Sequence, residues 1–309
     1  MASGSGNPVT VVAVVGPTAS GKSDLGIALA QALGGEVVNA DSMQLYRGMD
    51  VGTAKLAPSE RGGIVHHLLD IWDVAVPASV AEYQALARGV VDRLRADGVA
   101  PVVVGGSGLY VRAVLDDLQF PGTDASVRAR LEAELADVGP GELHRRLQGV
   151  DPAAAAAIPA NNARRVVRAL EVVEITGKPF TAVLPHACDI YPHVQIGLEV
   201  PRPVLDERIN ERVDRMWAAG LVDEVRRLLD LGLREGRTAS RALGYAQVIR
   251  FLDGEWSEEH AREETQRATR RFVRRQDTWF RRDARVLWLP YDDPTLLADA
   301  LAAVRSVTT

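Results

Sequence analysis

Gly16, Pro17, Thr18, Ala19, Ser20, Gly21, Lys22 and Ser23 fit the spacing G-x-x-x-x-G-K-[ST]. In that pattern the backbone N–H groups of a glycine-rich loop and the N-terminus of the next helix face a bound phosphate. Lys22 would reach the outermost phosphate, and the Ser23 hydroxyl would ligate Mg²⁺. The chain holds only three lysines, Lys22, Lys55 and Lys178, so chance seldom puts one at this spot. The loop alone fits ATP as well as any other di- or triphosphate.

Other residues could add to this chemistry. Asp41 follows a second apolar run, where a carboxylate can face the loop phosphates. Three roles suit it: capping a turn, ligating Mg²⁺, or accepting a proton from a nucleophile. The last two stay equally open on the residues alone. Arg267, Arg270, Arg271, Arg274, Arg275, Arg281 and Arg282 fall within one broad arc of a helix, with Ala268, Phe272, Gln276, Trp279 and Phe280 on the other side. Such a face suits the phosphate backbone of a nucleic acid. The adjacent pair His66 and His67 would point to opposite faces of a strand, so at least one has a structural role.

These groups need a scaffold that brings strand ends together. Residues 10–15 are apolar and β-branched and read as a buried strand; residues 24–33 read as an amphipathic helix closed by Gly34 and Gly35. A second strand is expected over 36–40, a helix capped by Ser79 over 79–96, a third strand over 99–104 ending in Gly105, Gly106, Ser107 and Gly108, and a helix over 109–115. This rhythm predicts a P-loop NTPase-like α/β fold: a parallel sheet flanked by helices, with ligands at the carboxyl ends of its strands. The middle of the chain differs. Helical patterns cover 125–137, 141–148 and 163–176, and the next strand is not expected until 193–200. Residues 120–192 therefore read as an all-helical insertion, and residues 1–119 with 193–309 as the core. Amphipathic helices over 202–219 and 222–231, the long arginine-bearing helix from 256 towards 282, and a closing strand over 285–290 complete the reading.

Composition limits the possible partners. A chain of 309 residues with 47% hydrophobic and 25% charged residues is ordinary for a globular protein. No apolar run approaches a membrane span. The first eight residues have no basic or apolar region of a secretory signal and read as a disordered lead-in; a cytoplasmic protein is expected. The single cysteine, Cys188, excludes an internal disulfide and a Cys-rich zinc site. A net charge of −5 argues against bulk attraction to nucleic acid but leaves room for local basic patches.

Taken in order, several segments resemble the tRNA dimethylallyltransferases. They are the phosphate loop, the run from Asn39 through Asp41, Ser42, Met43 and Gln44 to Lys55, His66 to Ile71, Gly105 to Tyr110, Arg168 to Val172, Ser240 to Tyr245, and Arg274 to Gln276. The resemblance implies transfer of a dimethylallyl group from dimethylallyl diphosphate, with Mg²⁺, to the exocyclic amine of the adenosine 3′ of a tRNA anticodon. It implies that residues 16–23 hold the diphosphate, that Asp41 is the base, that Ser107 stands where the family often has threonine, and that Arg212 is aimed at the diphosphate. It implies tRNA contacts at Asp41, Ser42, Met43, Gln44, Ser107 and Arg128. Further contacts would be Arg164, Arg165, Val166, Val167 and Arg168 in the insertion, and Arg241, Ala242, Leu243, Gly244, Tyr245 and Ala246. The insertion would clamp the anticodon stem-loop, and a monomer suits that task. Three other classes compete. A kinase transferring phosphate from ATP to a metabolite and an adenylate isopentenyltransferase need no such clamp. A non-catalytic RNA-binding protein needs no convergence of Lys22, Ser23 and Asp41.

Overall fold

The structure, a computed structural model, describes residues 9–181 and 186–308. The expected lead-in, residues 1–8, lies outside these. Among the described residues, five of the six strands follow from runs of four to seven residues rich in apolar side chains: β1 (Val11–Val15), β2 (Glu36–Asn39), β4 (Pro101–Gly105), β5 (His193–Glu199) and β6 (Val286–Pro290); β3 is only His66–His67. All pair in parallel, in the order β3-β2-β4-β1-β5-β6. Every residue of β1 and β4 is buried, because helices cover both faces of a parallel sheet. The chain passes from β1 to β2 over β4, which leaves a crevice at the carboxyl ends of these strands.

The helices that frame this crevice begin close to the expected positions. They are α1 (Lys22–Leu33), α2 (Val80–Ala96) and α3 (Gly108–Leu115). Ser79 caps α2 by accepting from the Glu82 amide. Side chains of β1, β2, β4 and β5 pack on Leu25, Leu29 and Ala30 of α1. A Cβ at Gly26 would stand 2.5 Å from Val104, so the glycine lets α1 lie tight on β4 and holds the phosphate loop at the strand ends.

By contact density the chain divides into two units, residues 1–116 with 189–309, and residues 117–188. The second unit holds α4 (Ala125–Val150), α5 (Pro152–Ala157) and α6 (Ala163–Thr176) around Leu131, Leu143, Leu147, Ile158, Val166 and Leu170. Within α4, Gly139 at φ 78° precedes Pro140 and breaks the helix between the two expected segments.

Back in the first unit come α7 (Arg202–Ala218), α8 (Leu221–Asp230), α9 (Tyr245–Leu252), α10 (Glu258–Arg281) and α11 (Leu296–Thr308). Helices α9 and α11 go beyond the expected set. The first has only eight residues and follows Gly244, its N-cap at φ 86°. The second packs Ala300 and Val304 against the sheet core. No helix among the described residues is long and apolar enough to cross a membrane.

Candidate active site

The phosphate loop joins β1 to α1. Gly16 (φ 132°) and Gly21 (φ 96°) adopt backbone conformations that side chains disfavour, which turns the loop so that α1 starts at Lys22. A second element fixes the loop's shape. The Thr18 amide donates to Gln276 Oε1 at 3.1 Å, and Gln276 Nε2 donates to the Gly106 carbonyl at 2.8 Å. Gln276 is buried on α10 and thus ties the phosphate loop to the loop after β4.

Charge gathers around Lys22. Lys22 Nζ donates to the Pro17 carbonyl at 3.2 Å. Burial lowers its pKa from 10.5 to about 8; Asp41 raises it and Arg212 lowers it further. Burial also holds the Arg212 pKa below its ordinary value, opposed by Asp41. Arg212, on α7, donates to the Thr53 carbonyl at 3.1 Å. Lys22, Asp41 and Arg212, 171 residues apart between the last two (212 − 41), thus feel one another's fields. Sequence spacing alone favours an ordinary surface arginine at position 212.

Asp41 stands just past β2. Its amide donates to Asn39 Oδ1 (3.0 Å), and its Oδ1 accepts from the Met43 amide (3.0 Å). One carboxylate oxygen therefore caps the turn, and the other makes no hydrogen bond among the described residues. At the neighbouring strand end, Ser107 Oγ accepts from the Ser42 amide (3.2 Å) and donates to Ser42 Oγ (3.1 Å). Asp41, Ser42 and Ser107 are therefore brought together, partly exposed, where β2 and β4 end.

The loop over residues 42–55 is clamped from two sides. Lys55 Nζ, 3% exposed at its side chain, reaches Asp50 and Asp70 at 2.6 Å each and the Tyr46 carbonyl at 2.9 Å. On the other side the buried Glu224 of α8 accepts from the Asp50, Val51 and Gly52 amides. Glu224 is the residue that reading the sequence misses; Gln276 falls in a segment of resemblance that assigns it no role. A glutamate in the apolar stripe of Leu221, Val225 and Leu228 is the signal that could have marked Glu224.

No cluster of three or more His, Cys, Asp or Glu suited to a metal occurs among the described residues. His67 pairs with Glu36 at 2.5 Å, and His66 bonds the Ile64 carbonyl. Ser23 faces a small cavity with Asn39, Gln44 and His66. A single hydroxyl fits Mg²⁺, which keeps several waters and is usually held through substrate phosphates.

The expected tRNA contacts divide by exposure. Arg164 and Arg165 are exposed on α6, but Val166 and Val167 are buried in the helical unit's core. Arg128 and Arg168 both bond the fully buried Glu171, and Arg168 also holds the Pro121 and Gly122 carbonyls. In the segment 241–246, Arg241 is exposed and Leu243 and Ala246 are partly so, whereas Ala242, Gly244 and Tyr245 are buried. Val166, Val167, Ala242, Gly244 and Tyr245 are buried, so any contact they make with a nucleic acid would not run through an exposed side chain. Trp279 also departs from expectation. It is 37% exposed and lines a groove with Arg274, Arg275, Thr278 and Arg282.

A glycine-rich loop at the end of a central parallel strand, with Lys22 in it, and a helical unit inserted in the chain between β4 and β5 define an α/β fold built to hold an anion at its strand ends. The IPP transferase family model matches residues 44–283, and the chain belongs to that family. The tRNA dimethylallyltransferase of Thermobifida fusca is 67% identical over 300 residues, spanning 96% of this chain and 94% of its own. That of Streptomyces avermitilis is 70% identical, over 90% and 89% of the two chains. Among solved structures, the full-length tRNA isopentenylpyrophosphate transferase of Bacillus halodurans matches with TM-score 0.73 and 41% identity over 97% and 96%. A eukaryotic dimethylallyltransferase acting on tRNA matches with TM-score 0.81 and 25% identity, over 95% of this chain and 77% of its own.

Proposed function

We propose that this chain transfers the dimethylallyl group of dimethylallyl diphosphate to the exocyclic amine of the adenosine 3′ of the anticodon in tRNA, releasing diphosphate. The observation that carries the reading is that Lys22 of the phosphate loop, Asp41 and Arg212 lie near enough to perturb one another's charge, two cations and one carboxylate in one site. The bond that breaks joins the allylic carbon to a diphosphate oxygen, and the bond that forms joins that carbon to the adenine nitrogen. Charge grows on the departing oxygen, so donors already aimed at it lower the barrier. Lys22, Arg212 and the loop amides of residues 16–23 serve there. Mg²⁺ held at the Ser23 hydroxyl would neutralise further charge on the same diphosphate.

On the acceptor side, the free oxygen of Asp41 takes the proton that the weakly nucleophilic amine loses. Ser107, with Ser42 beside it, offers a hydroxyl to the acceptor or the donor. The target adenosine leaves the anticodon-loop stack, at small cost in a single-stranded loop. Ser42, Met43, Gln44 and Arg241 in one unit and Arg164 and Arg165 in the other contact the RNA; all six are at least partly exposed. Under this reading the enzyme is a cytoplasmic monomer.

The test is label transfer from radiolabelled dimethylallyl diphosphate with Mg²⁺ to an unmodified anticodon stem-loop, alongside AMP and an ATP-hydrolysis control. Label on RNA that is lost in Asp41→Ala supports the reading. Label on AMP alone would assign a free-nucleotide prenyltransferase. Phosphate transfer from ATP without prenyl transfer would assign a kinase.

A further inference from the structure

We propose that Glu224, together with the Tyr245 hydroxyl, is a positioning residue for the anion site. It fixes the backbone of residues 50–52 and, one residue on, the Thr53 carbonyl that orients Arg212 and Gln44. This deepens the proposed function and rests on its assignment of Arg212 to the diphosphate.

Glu224 is 2% exposed on the apolar face of α8. A buried carboxylate persists only when its lone pairs are satisfied. Here four donors converge. The Asp50 and Val51 amides reach Oε2 at 3.1 and 2.8 Å, and the Gly52 amide and the Tyr245 hydroxyl reach Oε1 at 3.1 and 2.6 Å. The Tyr245 ring lies directly on the loop: a Cβ at Gly52 would stand 2.5 Å from it. The next carbonyl, Thr53, accepts from Arg212 Nη2 at 3.1 Å and from Gln44 Nε2 at 3.2 Å. One of these donors is assigned to the diphosphate and the other to the RNA. The buried glutamate therefore sets the shared acceptor on which a donor-side and an acceptor-side residue are aligned. Glu224 has every lone pair engaged inside the protein, so it acts through Arg212 and Gln44 and not on the reacting atoms.

The probe is inorganic pyrophosphate with Mg²⁺, titrated calorimetrically into the full chain, alongside thermal melting. Glu224→Gln turns one acceptor into a donor facing amide hydrogens and is expected to weaken pyrophosphate binding about tenfold; Tyr245→Phe, losing one hydrogen bond, weakens it about threefold. In an Arg212→Lys background, Glu224→Gln is expected to cost less than about twofold, because both changes act through one contact. A role in stability alone would lower the melting temperature and leave pyrophosphate affinity unmoved. The proposal is overturned if folded Glu224→Gln binds within about twofold of wild type, or if its effect adds fully to that of Arg212→Lys. Should Glu224→Gln not fold, Tyr245→Phe decides: wild-type affinity overturns the proposal and reduced affinity supports it. Wild-type chain that binds pyrophosphate but transfers no prenyl group sinks the proposed reaction while leaving this test intact. Wild-type chain that binds no pyrophosphate overturns both.

Discussion

Lys22 keeps its positive charge only below about pH 8, because burial outweighs the attraction of Asp41. Its attraction for a diphosphate should therefore weaken as pH rises through about 8, and binding above that pH should take up a proton. Lys22→Arg stays charged across this range, so the share of the pH dependence that Lys22 contributes should disappear and leave only that of pyrophosphate itself. Calorimetry of pyrophosphate binding in buffers of different ionisation enthalpy measures both effects; proton uptake unchanged in Lys22→Arg would remove Lys22 as its source. The stability sign follows from the same shift. An unfolded chain holds this proton up to about pH 10.5 and the folded one releases it near 8, so stability gains from this group as pH rises across that window. Asp41 allows a second test. Asp41→Asn can still accept from the Met43 amide but cannot take a proton, so single-turnover transfer to RNA should slow by about 10²–10⁴. A loss below about tenfold would make Asp41 a hydrogen-bond acceptor only. Lys22 and Asp41 were legible in the sequence because each follows a strand in a recognisable local run. The roles of Glu224 and Gln276 were not, since the loop amides that Glu224 holds lie 172–174 residues away and the partners of Gln276 lie 170 and 258 residues away.

At the scale of elements, the phosphate loop is shaped by a helix far from it in the chain. Gln276 supplies both an acceptor to Thr18 and a donor to Gly106, so α10 joins two strand-end loops. Gln276→Met keeps the side chain's length and loses both bonds. It should raise the KM for dimethylallyl diphosphate about tenfold while leaving the KM for RNA within about twofold. Equal rises in both constants would deny α10 a specific hold on the phosphate loop. Most element positions could be read from apolar periodicity: Ser79 marks the start of α2, and α6 falls on residues 163–176 as expected. The two extra helices were illegible for different reasons. Helix α9 is too short for periodicity and follows a glycine at positive φ, and α11 owes its place to packing of Ala300 and Val304 on the sheet core.

At the scale of the whole molecule, a chain of net charge −5 must bind a polyanion through local patches. The arginine arc of α10 is not uniform. Arg267 and Arg271 share Glu264, Arg281 meets Glu199 and Asp277, and Arg270 bonds Asn210. Arg274, Arg275 and Arg282 border the groove around Trp279 and have no carboxylate partner among the described residues. Periodicity revealed the arc, but only the fold reveals which charges are already neutralised. Counterion release depends on cations that meet phosphates, and a guanidinium already paired with a carboxylate contributes less. The affinity for an anticodon stem-loop should therefore fall with salt, and each of Arg274→Gln, Arg275→Gln and Arg282→Gln should reduce the slope of log K against log salt by about 0.7–0.9. Arg267→Gln should change it by much less, because it leaves Glu264 one neighbour and removes no free charge from the groove. Filter binding across a salt series separates the two groups. Equal slopes for all four variants would mean that the RNA reads the helix as one continuous basic face, with Glu264 displaced on binding, and the sorting of its arginines by their partners would be wrong.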